Sequence, residues 1–321
     1  MTSTATPTPA VHPPDPDGYR HEALVYRDLD EYVTEVADFV RAGLSRGERV
    51  LIAVPSERSD ALRRALPDGS GAVRFADMRT VGDNPARIIG VWSDFLDEVP
   101  GSACRGVGEL VYADRCAEQI DECQRHERLL DRCFPGREFL LLCPYDGSLG
   151  RRVLDDARAT HRRIHESGTS GPSPTFRADG LADHLFDGRL RPPPGPTTEI
   201  PFGTDGLRSV RRFVEAAAQR AGLSHDRSAD VVLAVDEIAA NSVLHGGSGG
   251  TVRCWTDGDW FVCELDGAGT IVDPLVGRFR PDPDSVGGRG LWLANQLCDL
   301  VQIRNTCGGL VVRTRTRIGG A

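Results

Sequence analysis

The stretch VDEIAANSVLHGG, residues 235–247, closes an apolar helix yet sets Glu237, Asn241 and His245 at four-residue intervals. Residues four apart share one helix face. A polar stripe therefore runs between Val231, Val235, Ile238 and Leu244. A helix that is apolar nearly all round is a buried one, so the stripe is expected to line a pocket rather than face bulk water. There a carboxylate can take a proton and an amide oxygen can hold a hard cation such as Mg²⁺. His245, beside the glycine stop, is read as a hydrogen-bonding residue suited to the negative end of the helix dipole.

Two glycine signals downstream give such a cation its purpose. DGAGTI, residues 266–271, ends a strand, and GGRGLWLANQL, residues 287–297, opens a helix. A glycine-rich helix start presents free N–H groups and a positive dipole end to phosphate. The surrounding pattern predicts helices over 205–221 and 226–245, a hairpin over 250–267 turning at Asp257-Gly258, a helix over 289–299, and two final strands. Helices on one face of a largely antiparallel sheet make this half an α+β domain.

In the order helix stripe, Asp-Gly loop, Gly-Gly-x-Gly helix, residues 198–321 resemble the GHKL (Bergerat-type) ATPase superfamily, and within it the anti-sigma serine-kinase branch. DEIAANSVLHG is close to that branch's first motif, and DPLVGR with GGRGLWLANQLCDLVQIR resembles many actinobacterial members. The resemblance implies ATP and Mg²⁺ as cofactors, Glu237 as general base and Asn241 as Mg²⁺ ligand. It further implies Asp266 as the partner of the adenine amino group, followed by Gly269, with Gly287, Gly288 and Gly290 bordering the phosphates. Its partners would be a sigma factor and an anti-anti-sigma protein of the STAS type. The family spaces its aspartate two residues before a glycine, whereas Asp266 stands three before Gly269. Either the strand bulges to restore Asp266, or Gly267 takes the aspartate's place and the domain binds without turning over ATP. Other readings are a sensor histidine kinase, opposed by a proline-rich stretch where a helical hairpin would stand, and a sensor whose ATPase-like half only forms a homodimer.

Ahead of residue 167, helices expected over 32–46, 60–66, 85–98, 117–132 and 150–166 alternate with the apolar runs RVLIAVP and EFLLLCPYD and the weaker run RGVGELVYA. Runs that are apolar without alternation belong to strands buried on both faces of a parallel sheet. The turn after RVLIAVP is SERSD, with neither the glycines nor the lysine of a phosphate loop. HEALVYRDLDEYVTEVADFVRAGLSRGERVLIAV, ECQRHERLLDRCF and LLCPYDGSLGRRVL resemble the MEDS sensory domain over residues 21–165. That resemblance implies an α/β RecA-like sandwich without a working phosphate loop, acting as a sensor of small molecules. Cys123 with His126, and His161 with His165, have helical spacing that could offer paired metal ligands; each pair is read as a helix face.

Four segments are expected: a tail over 1–18, a sensor domain over 19–166, a Gly/Pro/Ser-rich linker over 167–197 with one short helix near Leu181–Phe186, and the ATPase-like domain over 198–321. The first 18 residues lack the basic and apolar regions of a signal peptide, which makes the cytoplasm the expected location. The net charge of −9 opposes direct nucleic-acid binding, and no apolar run reaches the length of a membrane span. All 38 basic residues are arginine, which excludes both a lysine phosphate loop and Schiff-base chemistry. Nine cysteines, none in a CxxC pair, suggest reduced thiols rather than a disulfide framework.

Overall fold

Uninterrupted apolar strands dictate the first layer. The computed structural model describes residues 18–66, 71–177, 185–246, 249–282 and 288–319, excepting the side chains of 245 and 246. The N-terminal half runs β1 (Tyr19–Tyr26), α1 (Leu29–Leu44), β2 (Arg49–Val54), α2 (Ser56–Ala65), β3 (Val73–Asp77), α3 (Met78–Val81) and a 3₁₀ turn at Pro85–Arg87. It continues with α4 (Ile88–Asp97), β4 (Cys104–Gly108), α5 (Ala117–Cys133), β5 (Phe139–Asp146), α6 (Arg151–Thr160), β6 (Arg163–Glu166) and β7 (Thr169–Pro172). The strands lie in the order β3-β2-β4-β5-β1-β6-β7. All pair in parallel except β7, which returns antiparallel to β6. Ile52, Ala53, Val54, Leu141 and Leu142 are buried, as strands covered by helices on both faces require.

Two local expectations are corrected. The helix expected to reach residue 166 stops at Thr160, because His161 adopts an extended conformation (φ −109°, ψ 131°) and the chain then adds β6 to β1. Strand β1, which follows Asp17-Gly18 in sequence and carries the polar residues Arg20, His21 and Glu22 near its start, passed unread as a strand. The helix expected near Leu181–Phe186 falls largely on residues 178–184, outside those described.

The C-terminal half runs β8 (Thr198–Phe202), α7 (Leu207–Ala221), α8 (His225–Gly246), β9 (Gly250–Asp257), β10 (Trp260–Gly267), α9 (Arg289–Leu297), β11 (Leu300–Thr306) and β12 (Gly309–Arg317). Its strands are ordered β11-β12-β10-β9-β8, with every described pairing antiparallel. Strand alternation sends Val252, Cys254, Leu265 and Val312 to one face, where they join Val210, Val214, Val231 and Val235 of α7 and α8 in a common core. The opposite face carries Trp255, Trp260 and Val262, with Arg313 bound to Glu264 across the strand pair (Nε–Oε2 2.9 Å). Gly222, at φ +91°, ends α7 in the left-handed conformation that a side chain would resist. No helix among the described residues is long and apolar enough to cross a membrane.

The halves meet at the far end of α9. Asn84 Nδ2 donates to the Asn295 carbonyl at 3.1 Å, and Arg87 donates to the carbonyls of Asn295 and Cys298 at 2.7 and 2.8 Å. The last carbonyls of a helix lack partners inside it, so the N-terminal half caps α9. Beside this contact Glu122 of α5 binds Arg304 of β11 at 2.6 Å, both side chains buried.

Candidate functional site

The site is built where α8 crosses α9. A Cβ on Gly290 would stand 2.6 Å from Asn241 Nδ2 and 3.1 Å from Glu237 Oε2. Glycine at this position leaves the carboxylate and the amide room against the first turn of α9. Gly288 precedes that turn at φ +77°, ψ −6°, and among the described residues no side chain caps the helix. The first N–H groups of a helix have no internal acceptor, so α9 turns uncapped donors toward the space beside Asn241. That space is a cavity of about 230 Å³, lined by Asn241, Ser242, Gly269 and Gly288 above an apolar floor that includes Ile238, Leu265 and Val312.

Glu237, Asn241, Gly269, Gly288 and Gly290 are thus brought together, and Gly269 turns at φ +101° to do so. Gly287 lies outside the described residues, as does the side chain of His245. Asp266 is not brought in. β10 pairs with β9 and β12 without interruption from Trp260 to Gly267, so no bulge shifts its register. Leu265 and Gly267 face the cavity, and alternation carries Asp266 to the opposite face. There Arg253 has its pKa raised first by a hydrogen bond to Glu199, and also by the charges of Glu264 and Asp266. The position facing the cavity belongs to Gly267, where a Cβ would fall on the Ser242 hydroxyl.

Ser242 escaped the sequence reading, which followed the four-residue stripe. It stands four after Ile238, and both line the cavity. Its Oγ donates to the Gly249 carbonyl at 3.0 Å, linking α8 to the start of β9.

In the N-terminal half, the carboxyl ends of the parallel strands are the usual ligand position of an open α/β sheet. Arg58 of α2 fills it, donating to Tyr26 Oη at 3.0 Å and standing 3.7 Å from Glu109 and 3.8 Å from Asp146. Tyr26 Oη donates to Glu109 Oε1 at 2.7 Å. Burial pushes the Glu109 carboxyl up to about 7, against the hydrogen bond from Tyr26 and the charge of Arg58. Two carboxylates and an arginine engaged with them leave a phosphate no welcome here.

An apolar cavity, a carboxylate–amide pair and a helix start stand together on an α/β sandwich, joined to a parallel-sheet domain whose sheet edge is closed by its own ion pairs. Comparison with known proteins agrees with this division. Residues 20–162 match the family model of MEDS, the MEthanogen/methylotroph, DcmR Sensory domain. Residues 200–316 match that of the histidine kinase-like ATPase domain. The chain is a MEDS domain followed by a histidine kinase-like ATPase domain. No curated protein matches it. Among solved structures it is similar to the RsbU and RsbW domains of Rv1364c from Mycobacterium tuberculosis, at 23% identity and a TM-score of 0.30, over 39% of this chain and 33% of that one. The match therefore spans about a third of that relative.

Proposed function

We propose that the C-terminal domain binds Mg-ATP between α8 and α9, and that the chain is an anti-sigma regulator of the GHKL type acting in the cytoplasm. The crossing at Gly290 carries this reading, because it sets Glu237 and Asn241 directly beneath the uncapped start of α9. In that arrangement Asn241 holds Mg²⁺ through its amide oxygen, while the backbone at Gly269, Gly288 and Gly290, with Gly287 next in sequence, borders the phosphates. Glu237 takes the proton of a serine or threonine hydroxyl on an anti-anti-sigma protein of the STAS type. The apolar floor and the Ser242 hydroxyl receive the base. The motif DEIAANSVLHG supports the assignment of a sigma factor as the sequestered partner.

The N-terminal domain, in this reading a RecA-like sensor without a working phosphate loop, controls the site through α9. Asn84 and Arg87 hold one end of that helix, and its other end borders the cavity at Gly288.

A second reading is favoured by the placement of Asp266. With no carboxylate among the described residues at the base end of the cavity, the domain holds its partner without phosphorylating it. Incubating the full chain with a STAS-type protein and labelled ATP separates the two. Transfer that falls by about 10²–10⁴ in Glu237→Ala supports the kinase; no transfer, together with capture of a sigma factor, supports the binding module. Failure to capture either partner defeats both.

A further inference from the structure

We propose that His21, Glu127, Cys143 and His161 form a closed site for a zinc-class divalent transition metal inside the N-terminal domain. Four elements supply them: β1, α5, β5 and the residue following α6. The parallel register sets His21 opposite Leu141 and Ala23 opposite Cys143, so His21 and Cys143 project from the same face of neighbouring strands. All four side chains are buried. One ligand atom from each lies within 4.8 Å of the other three, the one such cluster of three or more among the described residues.

The spacing suits an ion. His21 Nε2 stands 3.0 Å from Glu127 Oε2 and 3.3 Å from Cys143 Sγ, and His161 Nε2 stands 3.5 Å from Glu127 Oε2. Metal bonds of about 2.0–2.1 Å to nitrogen and oxygen and 2.3 Å to sulfur give tetrahedral edges of roughly 3.3–3.7 Å. Small movements would let all four atoms share one centre.

Proton positions argue the same way. His161 Nδ1 lies 2.8 Å from the Ala157 carbonyl, which can only accept, so the imidazole proton sits on Nδ1. The lone pair on Nε2 then faces Glu127 Oε2, and neither atom has a hydrogen-bond partner. Two buried acceptors aimed at each other are costly. A proton on His21 could satisfy Glu127 but would leave the His161 lone pair unmatched, whereas a cation answers both. An N–H donated to a backbone carbonyl is also how metal-binding histidines are oriented, and His21 turns its Nδ1 toward Asp131 Oδ1 at 3.5 Å. Two imidazoles, a thiolate and a carboxylate select zinc-class ions over Mg²⁺ or Ca²⁺. His165, the neighbour that helical spacing would pair with His161, instead contacts Glu22 at 2.7 Å.

The full chain, stripped with a chelator and titrated with Zn²⁺ and Co²⁺, tests the assignment. The expected result is about one ion per chain, a raised melting midpoint, and for Co²⁺ tetrahedral ligand-field bands with a thiolate charge-transfer band. Cys143→Ser should lose the thiolate band, and Glu127→Gln or His161→Gln should weaken binding by about 10-fold or more. X-ray absorption of the zinc-loaded parent needs no variant and should show one sulfur among four neighbours. No binding at micromolar Zn²⁺ and Co²⁺ overturns the site. So does a centre with two sulfurs, as Cys254 and Cys263 with Sγ atoms 3.4 Å apart could supply, or binding indifferent to every variant that folds.

Discussion

Arg87 and Asn295 join the two domains: the guanidinium Nε of the first donates to the backbone carbonyl of the second at 2.7 Å, at the end of the helix whose start borders the cavity. Arg87→Ala removes this bond and the one to Cys298 without touching the site. If α9 transmits the state of the N-terminal domain, the change should weaken Mg-ATP binding by about 5-fold or more. Titration calorimetry reads this directly; an unchanged affinity in a folded variant would disconnect the domain contact from the site.

A side chain at Gly290 would occupy the space of the Asn241 amide and the Glu237 carboxylate. Gly290→Ala would drive a methyl group onto the Asn241 amide and the Glu237 carboxylate, displacing both groups from the site. A cost of about 1–3 kcal/mol is expected from such overpacking, together with loss of nucleotide binding. Chemical denaturation and a nucleotide titration on the same preparation would show both, and a variant that binds as the parent does would contradict the crossing described.

Asp266 points away from the cavity, so Asp266→Asn should leave ATP affinity within about 2-fold of the parent, as for surface changes remote from a site. A loss beyond tenfold would mean that β10 shifts register when nucleotide binds.

Glu109 provides a pH signature. Its folded pKa, pushed by burial to about 7, stands above the ordinary carboxyl value of 4.5. The folded state therefore holds the proton more tightly than the unfolded chain, and this contribution is complete below about pH 4.5 and lost as pH rises through 7. Glu109→Gln mimics the protonated form beside Tyr26, Tyr32, Arg58 and Asp146. Relative to the parent it should gain stability between pH 5 and pH 8, by up to about 3 kcal/mol. A stability difference that stays flat across that range, measured by denaturant titration, would refute the shift.

The elements nearest the site were the most legible in the chain. Helical periodicity and glycine punctuation announced α8, α9 and the hairpin turn at Gly258, because those signals are local. That Glu237 and Asn241 share one helix face could be read from spacing alone. Asp266 could not, since its orientation depends on unbroken pairing with both neighbours, a property of the sheet rather than of DGAG. β1 was missed because its place inside the sheet is fixed by β5 and β6, far away in sequence. The cluster of His21, Glu127, Cys143 and His161 was hidden for the same reason: its members are scattered over some 140 positions, and the helical spacing of His161 with His165 pointed to a residue outside it.

The central claim is that the space between α8 and α9 holds Mg-ATP, and titration calorimetry of the full chain with ATP, with and without Mg²⁺, tests it most directly. The parent should bind with an affinity that rises when Mg²⁺ is present, and Asn241→Ala should bind with that dependence gone. No heat and no thermal shift from the parent at millimolar nucleotide would contradict the account.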